Sequence, residues 1–400
     1  SLKDLEELQE FITKDYDTIE KVCEGISHII GQTFAHDKDN RESLRKYYEK
    51  NGYVQSEKKK DFVDKPTKYD MYHEFKQEIS KIYNYRVLAL NRGEKEGVLT
   101  VKLVIDDQWL EDAKRRYKTE NELCNKIIFD GLDYGFKNML NPSIEREIRQ
   151  NLTQRAEDDA IELFARNLRQ LLLTPPLKNK RILAIDPGYR TGCKVVALDE
   201  LGKFLEHNTI FPVPPENEIE KSEKIVLDMI KKHKINLIVI GNGTASRETQ
   251  QFIVDLIKKN ELDLKYIFVD ESGASVYSAS KLAKEEFPNL DVTIRGAISL
   301  GRRVQDPLAE LVKIDPKSLG VGQYQHDVNQ KKLKDKLDAT VVSVVNNVGV
   351  NLNTASYSLL QYVSGITNSV AKKIVKYREE NGPFSERKEL FNIKGLGEKT

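Results

Sequence analysis

A change of texture at Thr174-Pro175-Pro176 constrains this chain more than any other feature. Two consecutive prolines fix two φ angles and remove two backbone donors, so neither a helix nor a central strand runs through them. Before them, apolar residues recur at helical spacing. After them, short apolar runs alternate with amphipathic stretches. A chain of 400 residues is too long for a single core, so some boundary is required, and this is the clearest one.

Residues 1–175 read as a mostly helical scaffold. Leu2, Leu5, Leu8, Phe11 and Ile12 form a helical stripe, and another helix is expected near Arg41–Asn51. The cluster Glu57-Lys58-Lys59-Lys60 reads as a solvated loop or helix end. Gly93 to Gly97 breaks the pattern after Val87-Leu88-Ala89-Leu90, and Val98–Val104 suits a short strand. Helices resume over Trp109–Leu140 and Ser143–Leu173, with Pro142 just ahead of the second start and Glu145 and Glu147 in its first turn. Trp109 and the tyrosines of residues 47–134 have the faces to stack on bases, but core or rim packing is the expected fate.

Residues 176–314 alternate. Arg181–Ile185 is a buried strand ending at Asp186-Pro187-Gly188. Cys193–Leu198 and Phe204–Phe211 follow as two more, so three antiparallel strands open the unit. Then come a helix (Ile219–His233), a strand (Asn236–Ile240), a turn at Gly241-Asn242-Gly243, a helix (Ser246–Asn260) and a strand (Tyr266–Val269). Helices over Ala274–Glu286 and around Ile298–Leu311 finish it. Three meandering strands followed by βαβα units give the order of a ribonuclease-H-like fold.

Nucleases of that fold hold two Mg²⁺ ions with carboxylates from the first strand, the fourth strand and a late helix. Asp186 ends the first strand, Asp270 ends the fifth, and Asp306 lies near the late helix. The fourth strand ends in Gly241-Asn242-Gly243 without a carboxylate, and Glu248 comes only inside the next helix. Asp186 before Pro-Gly also suits a plain turn cap. A degenerate, scaffold-like domain is therefore expected, with Asp186, Asp270 and Asp306 as catalytic and Mg²⁺-binding residues only under a nuclease alternative. Gly241-Asn242-Gly243-Thr244 lacks the Lys-Ser/Thr of a P-loop.

Residues 315–400 begin as a loop rich in Gly, Gln and Asn and become helical from Lys331. Residues 331–400 hold 12 Lys/Arg against 7 Asp/Glu, a local +5 in a chain whose net charge is only +1. A polyanion site therefore has to be a local patch. Two short turns, Val363-Ser364-Gly365-Ile366 and Ile393-Lys394-Gly395-Leu396-Gly397, each sit between helix-like segments. A helix N-terminus attracts anions, and Gly lets the backbone approach a phosphate. Lys372, Lys373 and Lys399 stand behind the turns. Tandem helix-hairpin-helix motifs are expected, with Gly365, Lys372, Lys373, Gly395, Gly397 and Lys399 binding nucleic acid. Such contacts hold a phosphate backbone and do not read sequence. The helical pattern stops at Thr400, where a helix is due, so the second hairpin is expected to be incomplete.

Other classes fall away. Cys23, Cys124 and Cys193 are far apart, and the six histidines form no spaced pair, so neither zinc nor a disulfide framework is indicated. A reducing, cytoplasmic setting fits. No apolar run approaches the roughly 18–20 residues of a membrane span. No cofactor is expected.

The chain resembles the bacterial Tex family of transcription accessory proteins. The carrying segments are Ala89-Leu90-Asn91-Arg92-Gly93-Glu94-Lys95-Glu96-Gly97, Ile185-Asp186-Pro187-Gly188 with Gly192, and Ile240 through Glu248. Asp270 through Ser278, Gly320 through Val328 and Asn353-Thr354-Ala355-Ser356 complete them. The resemblance covers essentially the whole chain. It implies a helical scaffold (1–175), a YqgF-type ribonuclease-H-like domain (176–314) and a helical linker with tandem helix-hairpin-helix motifs, the second truncated (315–400). It also implies a central fragment of a longer protein that carries an OB-fold RNA-binding domain. The function implied is non-enzymatic binding of RNA or DNA in transcription or RNA metabolism. The alternatives are a Mg²⁺-dependent nuclease or resolvase, or a docking scaffold for the transcription or translation machinery.

Overall fold

The computed structural model describes residues 5–397. The chain divides into two compact units, residues 1–160 and 161–400.

In the first unit, helices Ile19–His36 (α1) and Lys38–Asn51 (α2) start at side-chain caps, Thr18 and Asp37, which accept from the amides of Lys21 and Asn40. Strands Tyr53–Lys58 (β1) and Phe75–Glu78 (β2) follow, then helix Asn84–Lys95 (α3) and strand Leu99–Val104 (β3). Helices Gln108–Tyr117 (α4), Glu122–Gly135 (α5) and Asn141–Leu172 (α6) complete the unit, whose boundary falls inside α6. The strands form an antiparallel sheet in the order β2-β1-β3.

Several expectations for this unit change. The helical reading missed β1 and β2, because the inward residues of β1 include polar ones. Ser56 Oγ donates to the Tyr72 carbonyl, and Lys58 Nζ reaches Asp70 Oδ1 at 2.6 Å and the Lys65 carbonyl at 2.9 Å. Lys58 is thus buried and paired, not solvated, and its ammonium holds the Asp70 carboxyl down at about 2. In the expected N-terminal stripe Leu8 is buried, but Phe11 and Ile12 are exposed, and Leu5–Phe11 is a 3₁₀ helix; Leu2 lies outside the described residues. The run Trp109–Leu140 is two helices and a π-turn, Phe136–Leu140, that leads straight into α6. Pro142 therefore sits inside the first turn of α6 rather than ahead of it. Trp109 is core, its Nε1–H donating to Ser43 Oγ at 3.1 Å.

Helices α1 and α5 pack through glycines. A Cβ on Gly31 would lie 2.6 Å from the Gly131 carbonyl oxygen, and one on Gly131 would lie 2.7 Å from the Ser27 carbonyl oxygen. Ser27 Oγ also donates to the Ile127 carbonyl at 3.0 Å.

In the second unit, strands Ile182–Asp186 (β4), Cys193–Leu198 (β5) and Phe204–Ile210 (β6) run antiparallel to one another in sequence. Helix Ile219–His233 (α7), strand Leu237–Gly241 (β7), helix Ser246–Lys259 (α8) and strand Lys265–Val269 (β8) follow. The sheet order is β6-β5-β4-β7-β8, with β4, β7 and β8 parallel. Every strand lies within one residue of its sequence reading. Each side of the sheet has its own core. Leu183, Ile185, Val195 and Ile240 pack with Val226, Ile253 and Leu256 of α7 and α8. Ile182, Ala184, Val196 and Val239 pack instead with Ile294, Ala297 and Ile298.

The late helices differ from expectation. Ala274–Glu286 is broken at Ser280 into Ala274–Ala279 (α9) and Lys281–Glu286 (α10), because the Ser280 side chain caps the second. The helix placed around Ile298–Leu311 starts earlier, as Val292–Gln305 (α11). It breaks at Asp306, before Pro307, and resumes as Pro307–Leu311 (α12). Beyond a loop tied by the buried Gln325 come helices Gln330–Val348 (α13), Tyr357–Leu360 (α14) and Asn368–Asn381 (α15), then a 3₁₀ turn, Arg387–Asn392. No described helix is long and apolar enough to cross a membrane.

The close glycine packing of α1 on α5 is directly testable. Gly31→Ala would gain up to about 1 kcal/mol of helix propensity, but the new methyl meets a backbone carbonyl that cannot rotate away. The clash should win, with a net loss of roughly 2 kcal/mol in urea unfolding. A variant more stable than the parent would show that the helices do not approach so closely.

Candidate nucleic-acid interface and the acidic edge of the sheet

The two glycine turns share one geometry. In the first, the Ile366 amide donates to the Val363 carbonyl at 3.0 Å and Gly365 has φ +86°. In the second, the Leu396 amide donates to the Ile393 carbonyl at 3.1 Å and Gly395 has φ +112°. In both, the glycine is the third residue of a four-residue turn, a position where a type II turn demands positive φ. This requirement, rather than space alone, selects glycine.

The first turn leads into α15. Thr367 is its cap, accepting from the Val370 amide at 3.3 Å. The amides of Gly365, Thr367, Asn368 and Ser369 take no partner among the described residues. They form the anion-attracting end of a helix of 14 residues. The turn is pinned by Asn346 of α13, 18 positions away, whose Oδ1 accepts from the Ser364 amide at 3.0 Å. Sequence reading missed Asn346, since nothing local marks a residue so far upstream.

The lysines divide. Lys372 Nζ lies 5.0 Å from the Tyr357 ring centroid, and the side chain is exposed. Lys373 Nζ donates to the Lys394 carbonyl at 2.9 Å, tying α15 to the second turn. A Cβ on Gly395 would meet Val370 Cγ2 at 3.2 Å, so that turn abuts the start of α15. Gly397 is the last described residue, and Lys399 lies outside them.

The other candidate residues lie at the edge where the parallel strands end. Asp186, Gly241 and Val269 finish β4, β7 and β8 on the same side of the sheet. Asp186 is half-buried, and its carboxyl is pushed up to about 6, first by burial and then by the charge of Glu271, with Lys194 opposing. Glu271 is the acidic neighbour that sequence reading did not single out. Its amide donates to Asn242 Oδ1, in the turn after β7, at 3.2 Å, and a Cβ on Gly243 would overlap its carboxylate. The missing fourth-strand carboxylate is thus answered by glycines that make room for Glu271.

The remaining carboxylates serve local geometry. Asp270 Oδ1 accepts from the Ser272 amide at 2.7 Å, while its carbonyl accepts from buried Arg303 at 2.6 Å. Asp306 Oδ1 accepts from the Ala309 amide at 3.1 Å and caps α12. Glu248 accepts from the Tyr189 hydroxyl at 2.9 Å. Among the described residues no three His, Cys, Asp or Glu side chains group closely enough to hold a metal ion, so Asp186, Asp270 and Asp306 are not brought together.

Along the chain, a helical unit, a ribonuclease-H-like sheet and a glycine-turn hairpin give the architecture of a multidomain protein of the YqgF and helix-hairpin-helix kind. Profiles of known families match in the same order: "Tex central region-like" over residues 1–164, "Tex protein YqgF-like domain" over 180–305 and "Helix-hairpin-helix motif" over 345–400. The chain belongs to the Tex family. It is 46% identical to YdcI of Bacillus subtilis over 97% of its own length and 54% of that protein. It is 40% identical to "Transcriptional accessory protein Tex" of Neisseria gonorrhoeae over 98% of its length and 52% of that protein. It is 39% identical to human "S1 RNA-binding domain-containing protein 1" over 97% of its length and 40% of that protein. The chain spans about half the length of the curated relatives it matches.

Asp186 supplies a pH test. Its carboxyl binds a proton more tightly folded than unfolded, so its contribution to stability is full below its ordinary value of 3.8 and is lost as pH rises through about 6. Asp186→Asn has no such loss. The variant should gain on the parent from about pH 4 to pH 7, by up to about 3 kcal/mol at the upper end, in urea unfolding at several pH values. A difference that stays flat across that range would remove the raised carboxyl from the account.

Proposed function

We propose that this chain is a non-enzymatic, nucleic-acid-binding scaffold that grips the phosphate backbone of RNA or DNA with little regard to sequence. The observation that carries the reading is the set of amides at Gly365, Thr367, Asn368 and Ser369, unpartnered among the described residues at the start of α15, with the exposed Lys372 one turn on. Backbone amides and a lysine can hold a phosphate but cannot read a base edge. The printed names of the relatives point the same way, one to an S1 RNA-binding domain and another to a transcriptional accessory role. Transcription or RNA metabolism is the proposed setting, with that machinery as the protein partner.

The proposal assigns no catalysis and no cofactor to the acidic edge. Asp306 is occupied in capping α12, and the Asp270 carboxylate accepts from the Ser272 amide. Two-metal hydrolysis needs carboxylates converging on ions about 4 Å apart. Asp186 and Glu271 form only a pair.

Gly365→Asp combined with Lys372→Glu places two negative charges where the phosphate is proposed to sit. Binding of mixed-sequence single strands and duplexes should weaken by about tenfold at low salt. The slope of log K against log salt should shrink by roughly one for each phosphate that the variant no longer neutralises. Anisotropy titrations over a salt series measure both, and unchanged affinity would sink the hairpin assignment.

A further inference from the structure

The first unit carries an exposed cluster of a different chemistry. Tyr83 and Tyr85 are 60% and 52% exposed, where most large apolar and aromatic side chains of the unit are buried or half-buried. Their rings lie nearly parallel, 18° between planes and 5.9 Å between centroids. The Arg86 guanidinium lies over both, 5.6 Å from the Tyr83 ring and 5.8 Å from the Tyr85 ring, and 5.8 Å from Phe75. It is held there, with Nη1 donating to Gln77 Oε1 at 2.8 Å and Nε to the Tyr85 hydroxyl at 3.2 Å. Among the described residues no carboxylate pairs with it. The nearby Glu78 is bound instead to Lys81, at 2.8 Å.

Helix stability does not explain these residues. Tyr83 occupies the cap position of α3 and makes no side-chain cap hydrogen bond. Ser, Thr, Asp or Asn would stabilise that end, and a polar residue at position 85 would spare an exposed ring. The sequence instead places two exposed aromatic rings beside a half-buried guanidinium that no described carboxylate neutralises.

We propose that Tyr83, Tyr85 and Arg86 form a stacking platform for unpaired bases of single-stranded nucleic acid. Aromatic faces accept any base, and the arginine adds cation–π and phosphate attraction. A duplex keeps its base faces stacked inside and offers the platform nothing. The site is distinct from the hairpin: it grips bases rather than phosphates, and it stands or falls without the α15 reading.

The test compares the 400-residue chain with Tyr83→Ala/Tyr85→Ala, with Tyr83→Phe/Tyr85→Phe and with Lys372→Glu. The probes are an oligouridine of about 12 nucleotides and an RNA duplex of about 12 base pairs. The alanine pair should lose about tenfold on the single strand and less than about twofold on the duplex, while the phenylalanine pair keeps its affinity. Lys372→Glu should weaken both probes alike. If it weakens neither while the alanine pair behaves as stated, the hairpin reading fails and the platform stands. Unchanged single-strand binding, equal loss on both probes, or equal loss in the phenylalanine pair would overturn the platform. Ultraviolet crosslinking of the parent chain to oligouridine, mapped by mass spectrometry, keeps the test independent of folding. Adducts at Tyr83 or Tyr85 are expected, and adducts only elsewhere would overturn it.

Discussion

Burial of β4 on both faces is the constraint on which the second unit depends. Ile182 and Ala184 face α11 while Leu183 and Ile185 face α7 and α8, so one strand of five residues belongs to two cores. A strand so placed must be apolar throughout its interior, and its first polar residue comes where it leaves the sheet. That residue is Asp186. Parallel pairing with β7 and β8 then brings the turns after three strands to one edge, as in open α/β sheets generally. The raised Asp186 carboxyl follows from this placement: it lies half inside the layer that the core requires, with Glu271 beside it.

The two glycine turns are set by backbone geometry. Their glycines meet a turn requirement, the capping threonine fixes where α15 begins, and Asn346 holds the first turn from another helix. The amides left over are a by-product of ending one helix and starting the next. Lys373 spends one of its three ammonium donors on the Lys394 carbonyl, which ties α15 to the second turn. Lys372, exposed and with the Tyr357 ring beneath its ammonium, is the lysine on which the proposed phosphate grip rests.

Many of the chain's charged residues are likewise committed to structure. Asp270, Asp306 and Glu248 each satisfy a specific backbone or side-chain group, although each is a carboxylate that the sequence reading weighed for metal chemistry, and Lys58, read as solvated, is buried and paired. A carboxylate that caps a helix already has its hydrogen-bonding capacity partly used. The acidic edge therefore reduces to the Asp186–Glu271 pair.

The sequence by itself determined that the long helix α6 stops short of Pro175-Pro176, placed all five strands of the mixed sheet to within a residue, and marked the two glycine turns. These are local matters: apolar period, proline geometry and positive φ act over a few residues. Only the tertiary structure decided that β1 and β2 exist, because their inward positions carry Ser56 and Lys58, which are stable there only through partners remote in sequence. It also decided that Glu271 rather than Asp270 or Asp306 lies beside Asp186, and that Tyr83 and Tyr85 are exposed while Trp109 is buried. Which side chains meet across a fold depends on long-range packing, and spacing along the chain does not encode it.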